Sequence, residues 1–146
     1  MSKAAARSGA FYMTHTRDEA NKGMEAFAEA IEIGQKAGLP VQISHIKMGV
    51  VGMWGRAQEA VDLINRARAR GQDVTADCYP YEAWHSNIEV IVPNKEYDDP
   101  PSVEKAIADL GGPSKITITG CEKHPDYVGK NLEEIAKAQG VTAVAI

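Results

Sequence analysis

Three short stretches decide the fold: Ala10-Phe11-Tyr12-Met13-Thr14-His15, Pro40-Val41-Gln42-Ile43-Ser44-His45-Ile46 and Asp73-Val74-Thr75-Ala76-Asp77-Cys78-Tyr79. Each carries β-branched or aromatic residues and lies about 30 residues from the next, which predicts three strands. Between the first two, Met24, Phe27, Ala28 and Ile31 fall at i, i+3, i+4 and i+7, with Glu25, Glu29, Glu32 and Lys36 on the other side. That spacing predicts an amphipathic helix, and Gly38 supplies its stop. Between the second and third, a glycine-rich turn from Met48 to Gly55 leads to Ala57, Ala60, Val61, Ile64 and Ala67 on one helical face, ending at Arg70-Gly71. Strand, helix, strand, helix, strand at this spacing predicts crossover units on a parallel sheet, an α/β fold. Ligands of such sheets bind where the C-terminal ends of the strands open into loops, so function is sought at the last residues of each stretch.

After Pro80 the pattern changes. Residues 83–101 read as a long connection with Pro100-Pro101 near its end. Ser102 is placed to cap a helix whose Val103, Ile107 and Leu110 face inward, with Gly111-Gly112 ending it. Lys115 to Thr119, KITIT, alternates as a half-buried strand does, and Asn131 to Gln139 predicts a helix with Leu132, Ile135 and Ala136 on one side and Gly140 as its stop. Residues 1–82 are therefore expected to form a barrel-type (β/α) segment, and residues 83–146 an inserted or appended α+β segment. The 146 residues suffice for one core, but a closed eight-fold (β/α) barrel typically takes about 250. A chain with this pattern is expected to be part of one.

Composition excludes several classes. With 44% hydrophobic and 25% charged residues the chain is neither disordered nor fibrous. Sixteen Lys and Arg against 20 Asp and Glu give a net charge of −4, and scattered basic residues argue against nucleic acid as a partner. Cys78 and Cys121 form no C-x-x-C pair, which argues against a disulfide scaffold or a zinc knuckle. No run of about 18 apolar residues and no signal-peptide core are present. The expectation is a cytoplasmic protein without a membrane partner.

His15 and His45 occupy equivalent places in successive units, so parallel pairing puts both imidazoles at one mouth of the sheet. A neutral imidazole offers a metal a lone pair near neutral pH, and a catalytic zinc usually takes three protein ligands. Equally, each histidine could close its strand by hydrogen bonding to a loop. Lys47, two residues after His45, falls on the same side of an extended strand, where an ammonium can meet a substrate carboxylate; an ordinary surface lysine is the other reading. Asp77 and Tyr79 end the third stretch at the same mouth. His85 and His124 read as solvated loop residues. Gly49-Val50-Val51-Gly52 lacks the spacing of either phosphate-binding glycine fingerprint.

These residues also carry a family resemblance. Tyr12-Met13-Thr14-His15-Thr16-Arg17-Asp18-Glu19, Val41-Gln42-Ile43-Ser44-His45-Ile46-Lys47, Trp54-Gly55-Arg56 and Asp73 to Tyr81 resemble consecutive blocks of the N-acyl-D-amino-acid deacylases (D-aminoacylases) of the metal-dependent amidohydrolase superfamily. Pro125 to Ala136 is similar to a later block. The resemblance implies a distorted eight-fold α/β barrel with zinc at its mouth, His15 and His45 as metal ligands from the fifth and sixth strands, and Lys47 and Tyr79 as substrate-binding residues. By analogy, zinc polarises the amide carbonyl of a small N-acyl amino acid and activates water, with a carboxylate as base.

The family's His-x-His pair, its bridging cysteine and its catalytic aspartate have no counterpart here, so the resemblance implies a middle fragment with no catalytic residue of its own, inactive alone. Trp84-His85-Ser86 also departs from the small-residue stretch expected after Tyr81. Two other readings stand beside it: a non-catalytic α/β binding or structural module, and a cyclic-amide hydrolase of the dihydroorotase or hydantoinase type. The Tyr-Pro-Tyr and Trp-Gly-Arg blocks favour the D-aminoacylase branch over the latter. Three parallel strands leave two open edges, which self-association could cover.

Overall fold

The computed structural model describes residue 4 and residues 6–146. It divides into two compact units, Met1–Ala83 and Trp84–Ile146. In the first, β1 (Tyr12–Thr14), α1 (Gly23–Ala37), β2 (Val41–Ile43), α2 (Ala57–Ala69) and β3 (Val74–Ala76) follow one another along the chain. The strands form a parallel sheet in the order β1-β2-β3, with Tyr12 opposite Val41 and Val41 opposite Val74. The α/β expectation holds, with strands shorter than the apolar runs suggested.

Period and burial agree except at Ala28, Ala57 and Val61, which are exposed although the spacing placed them on the inward faces. In α1, Phe27 and Ile31 are buried, and in α2, Ala60, Ile64 and Ala67. These pack with Val41, Ile43 and Val74 into one core. A helix lies close over β2 only because Gly34 has no side chain: a Cβ there would stand 2.0 Å from Val41 Cγ2 and 3.0 Å from the Leu39 carbonyl oxygen. Gly38, at φ 69°, ends α1 in the left-handed conformation that glycine adopts without steric cost.

In the second unit, α3 (Pro100–Asp109) begins earlier than expected. Its cap is Asp99, whose carboxylate accepts from the Ser102 N–H at 3.0 Å, so Ser102 stands in the first turn instead of capping it. Pro100 and Pro101 fit there because the first turn's N–H groups have no intrahelical acceptor. The helix α4 (Leu132–Gln139) starts at Asn131 with a full capping box: the Asn131 side chain accepts from the Glu134 N–H, and the Glu134 carboxylate from the Asn131 N–H, each at 2.9 Å.

The expected KITIT strand does not form. A single antiparallel bridge joins Thr117 to Asn131, flanked by Ile118 N–H to the Lys130 carbonyl at 2.9 Å and Leu132 N–H to the Ile116 carbonyl at 3.0 Å. Its partner turns helical at Leu132 and Lys115 ends a 3-10 turn, so neither side can extend the ladder. No helix among the described residues is long and apolar enough to cross a membrane.

Candidate functional site

The candidate site lies at the C-terminal ends of β1 and β2. His15 directly follows β1. Beyond β2 the Ser44 N–H still donates to the Thr14 carbonyl at 3.0 Å, and the chain then turns at His45, whose φ is 41°. A left-handed conformation at a residue with a side chain costs about 1–2 kcal/mol. Asp77, just past β3, holds the turn: its Oδ1 accepts from the His45 N–H at 2.7 Å and its carbonyl from the Ile46 N–H at 2.8 Å. Its other oxygen takes the Gln42 amide at 2.5 Å, and the Thr75 hydroxyl donates to that same Gln42 side chain.

The turn brings the two imidazoles together, with His15 Nδ1 3.1 Å from His45 Nε2. Glu19 completes the group. Its Oε1 lies 3.1 Å from His45 Nδ1 and 3.5 Å from His15 Nδ1. Lys47 Nζ donates to that same oxygen, stands 2.9 Å from His45 Nδ1 and donates to the His45 carbonyl at 3.2 Å. Lys47 and Glu19 are the sheltered members, with side chains 15% and 20% exposed against 65% for His15. Shelter strengthens the ion pair relative to a surface one.

Of the four residues singled out in the sequence, the structure gathers His15, His45 and Lys47. Lys47 arrives by a different route from the one expected: residues 44–47 have left the strand, so the left-handed turn, and not a shared pleat, returns the ammonium to His45. Tyr79 stands further off, with Lys47 Nζ 6.0 Å from its ring centroid. Burial, and then the negative charge of Glu19, raise the Tyr79 phenol above its ordinary value of 10.0, so it carries its proton at neutral pH. Of the loop histidines, His85 bonds to the Thr119 hydroxyl at 2.9 Å and His124 stacks on Tyr127 at 4.6 Å between ring centroids.

Sequence reasoning overlooked Glu19. It stands four residues after His15 in a quoted block, and His-x-x-x-Glu was the available signal. Its loop is placed by Gly49, whose N–H donates to the Glu19 carbonyl at 3.1 Å. A Cβ at Gly49 would come within 2.5 Å of that carbonyl oxygen.

The donor set suits a divalent metal. Among the described residues, His15, Glu19 and His45 are the group of three metal-type donors, with ligand atoms within 4.8 Å of one another. Two nitrogens on one tetrahedral zinc, each at 2.0–2.1 Å, lie about 3.3 Å apart. The pair here is at 3.1 Å. Neither cysteine enters the group: both are free, and Cys78 is exposed.

Two imidazoles, a carboxylate and an ammonium thus meet beyond the ends of adjacent parallel strands. Over nearly its whole length the chain is homologous to known N-acyl-D-amino-acid deacylases. It is 44% identical over 135 residues to N-acyl-D-aspartate deacylase of Alcaligenes xylosoxydans xylosoxydans, covering 92% of this chain and 24% of that protein. It is 33% identical over 132 residues to D-aminoacylase of the same organism, covering 90% and 24%.

Among solved structures, N-acyl-D-glutamate deacylase from Bordetella bronchiseptica, complexed with zinc and a phosphonate mimic of the tetrahedral intermediate, superposes with a TM-score of 0.75. That match is 28% identical and covers 99% of this chain and 27% of that one. A D-aminoacylase crystal structure gives 0.73 at 31% identity, covering 98% and 26%. The chain thus spans about a quarter of the length of the relatives it matches. No family model matches it.

Proposed function

We propose that this chain is a segment of a zinc-dependent amidohydrolase that cleaves the amide bond of N-acyl-D-amino acids. His15 and His45 are its metal ligands, and Lys47 and Tyr79 contact substrate. The 3.1 Å approach of His15 Nδ1 to His45 Nε2 carries the reading. When bound, zinc polarises the amide carbonyl and lowers the pKa of a water. Lys47 offers its ammonium to the substrate carboxylate, and Tyr79, protonated at neutral pH, offers a hydroxyl donor at the same mouth. Asp77 keeps the His45 turn in place through the backbone.

Three adjacent parallel strands in chain order suit a portion of a (β/α) barrel. In this reading residues 1–82 are the barrel segment and residues 83–146 an insert or appendage. The general base and remaining ligands come from other parts of the longer enzyme, so the chain is inactive alone, and its sheet edges associate with a second copy.

Zinc titration of the full chain tests the reading. The chain should bind zinc, and His15→Ala and His45→Ala should each weaken binding markedly. Metal analysis that finds no zinc uptake overturns it. Light scattering should show a dimer or larger species, and a monodisperse monomer overturns the association.

A further inference from the structure

We infer that Gln42 and Thr75 are positioning residues: through the Asp77 carboxylate they hold the left-handed turn at His45, and with it the His45 ring beside His15. The consequence for zinc rests on the function proposed above; the placement of the ring does not.

Gln42 is out of character for its strand. Parallel strands ordinarily carry apolar residues on both faces, and its neighbours Val41 and Ile43 are both buried in the core. Alternation turns Gln42 to the opposite face, where Thr75 is its register partner on β3. The core uses neither polar group, and their hydrogen bonds lead toward the site instead. The Thr75 hydroxyl donates to Gln42 Oε1 and lies 3.2 Å from the Val41 carbonyl. Gln42 Nε2 donates to Asp77 Oδ2 at 2.5 Å and to the Ile43 carbonyl at 3.4 Å. Asp77 Oδ1 then accepts from the His45 N–H at 2.7 Å.

The acceptor at the end of this relay sets its direction. A carboxylate only accepts, so the Gln42 nitrogen faces Asp77, its oxygen faces Thr75, and the hydroxyl donates. Asp77 is thereby held at both oxygens, one by β2 and one by the turn. Held at one oxygen alone, the carboxylate can swing away from the His45 N–H. Nothing else on the Asp77 side chain then offsets the cost of a left-handed backbone at His45, whose φ is 41°. The Asp77 carbonyl still accepts from the Ile46 N–H at 2.8 Å, so the turn loosens without unravelling. The His45 ring is the part displaced, because it hangs from the residue released. Side chains on the face of the sheet away from its core thus place a ring beyond the strand ends.

The test is NMR on the full chain, free of metal. In wild type a Gln42 side-chain amide proton should show a nuclear Overhauser contact to Asp77, and His45 the strong intraresidue HN–Hα contact of a left-handed residue. The two imidazoles, with centroids 4.8 Å apart, should show ring-to-ring contacts. A missing Gln42–Asp77 contact overturns the inference in wild type itself, so the test does not depend on any variant folding. In Gln42→Leu, checked by circular dichroism, the ring contacts should fade and His45 amide exchange should quicken about tenfold, the weaker end for a hydrogen bond to a charged group. The Val41 and Ser44 amides, bonded to the Asp73 and Thr14 carbonyls, should keep their rates. Equal quickening of all three would mean a merely structural role and overturns the inference. Gln42→Glu sets two carboxylates against each other and should loosen the turn likewise. Adding Asp77→Asn restores a donor for every acceptor and should bring back the His45 rate and the ring contacts; no recovery overturns the relay. Zinc affinity should fall about tenfold in Gln42→Leu, the lower end for a residue behind a metal ligand, and recover in the double variant. Unchanged zinc affinity in a variant with a loosened turn overturns the positioning role. A loosened turn in a chain that takes up no zinc supports the inference and overturns the metal-enzyme reading.

Discussion

Gly34→Ala separates two physical effects of opposite sign. In an α-helix interior alanine is favoured over glycine by about 0.8–1.0 kcal/mol, so propensity alone predicts a more stable protein. The position argues otherwise. The added Cβ would stand 2.0 Å from Val41 Cγ2, 3.0 Å from the Leu39 carbonyl oxygen and 3.2 Å from Gln72 Nε2. Carbon atoms pack at about 3.5–4.0 Å, so α1 must rise from β2 by roughly 1.5–2 Å or Val41 must leave its rotamer. Neither movement is easy, because Val41 is 2% exposed in the centre of the core and the Leu39 oxygen is main chain.

Overpacking costs about 1–3 kcal/mol, and three crowded contacts place this site near the upper end, for a net loss of about 2 kcal/mol after the propensity gain. Urea titration of the full chain followed by circular dichroism measures it. In a double-mutant cycle with Val41→Ala, part of the loss should return, because the second change removes the methyl that the first one strikes. A Gly34→Ala protein as stable as wild type, or more so, would refute the close-approach argument.

Gly49→Ala should weaken zinc binding about tenfold by displacing Glu19 from beside His15 and His45, about what losing a supporting carboxylate costs a metal site; calorimetric titration checks it, and unchanged affinity would detach Glu19 from the site. Asn131→Ala should cost about 1 kcal/mol by removing half the α4 capping box, measured as a lower urea midpoint. Tyr79 holds its proton more tightly in the folded chain, first by burial and then through Glu19. The stability this contributes is complete below the ordinary value of 10.0 and is lost as pH rises through the raised folded value. Between pH 9 and the alkaline limit, wild type should lose more stability than Tyr79→Phe, and difference absorbance near the phenolate band should show a late-titrating tyrosine.

Fold and site were legible to different depths. Period alone placed α1 and α2, because their apolar faces meet the sheet and their ends carry glycine or a glycine-adjacent stop. The strands were over-long: Ser44-His45-Ile46 follows Val41-Gln42-Ile43 with no glycine or proline to mark a stop, but Asp77 captures the His45 N–H and the chain turns there. KITIT alternated correctly and still failed, since pairing needs a partner and Asn131 opens a helix instead. Ser102 lost the cap to Asp99, three residues earlier and free to aim its carboxylate at the exposed N–H groups. His15 and His45 were found from equivalent places in a repeat. Glu19 was not, because its role depends on a loop fold set by Gly49, a contact no local spacing announces.

Thr14 pairs with Ile43 in the sheet, so His15 stands beside Ser44 and His45 comes one residue further on. The two ring centroids are 4.8 Å apart, the same as the 4.7–4.9 Å between neighbouring strands. The sheet sets the register from which the histidine pair starts, and the Asp77-held turn at His45 supplies the rest: their separation is inherited from the hydrogen bonds of the ladder and of that turn, not from the identities of the residues packed beneath. Sequence drift in the core can then trade stability without altering the gap between the rings, whereas a one-residue slip of β1 against β2 would abolish it at once.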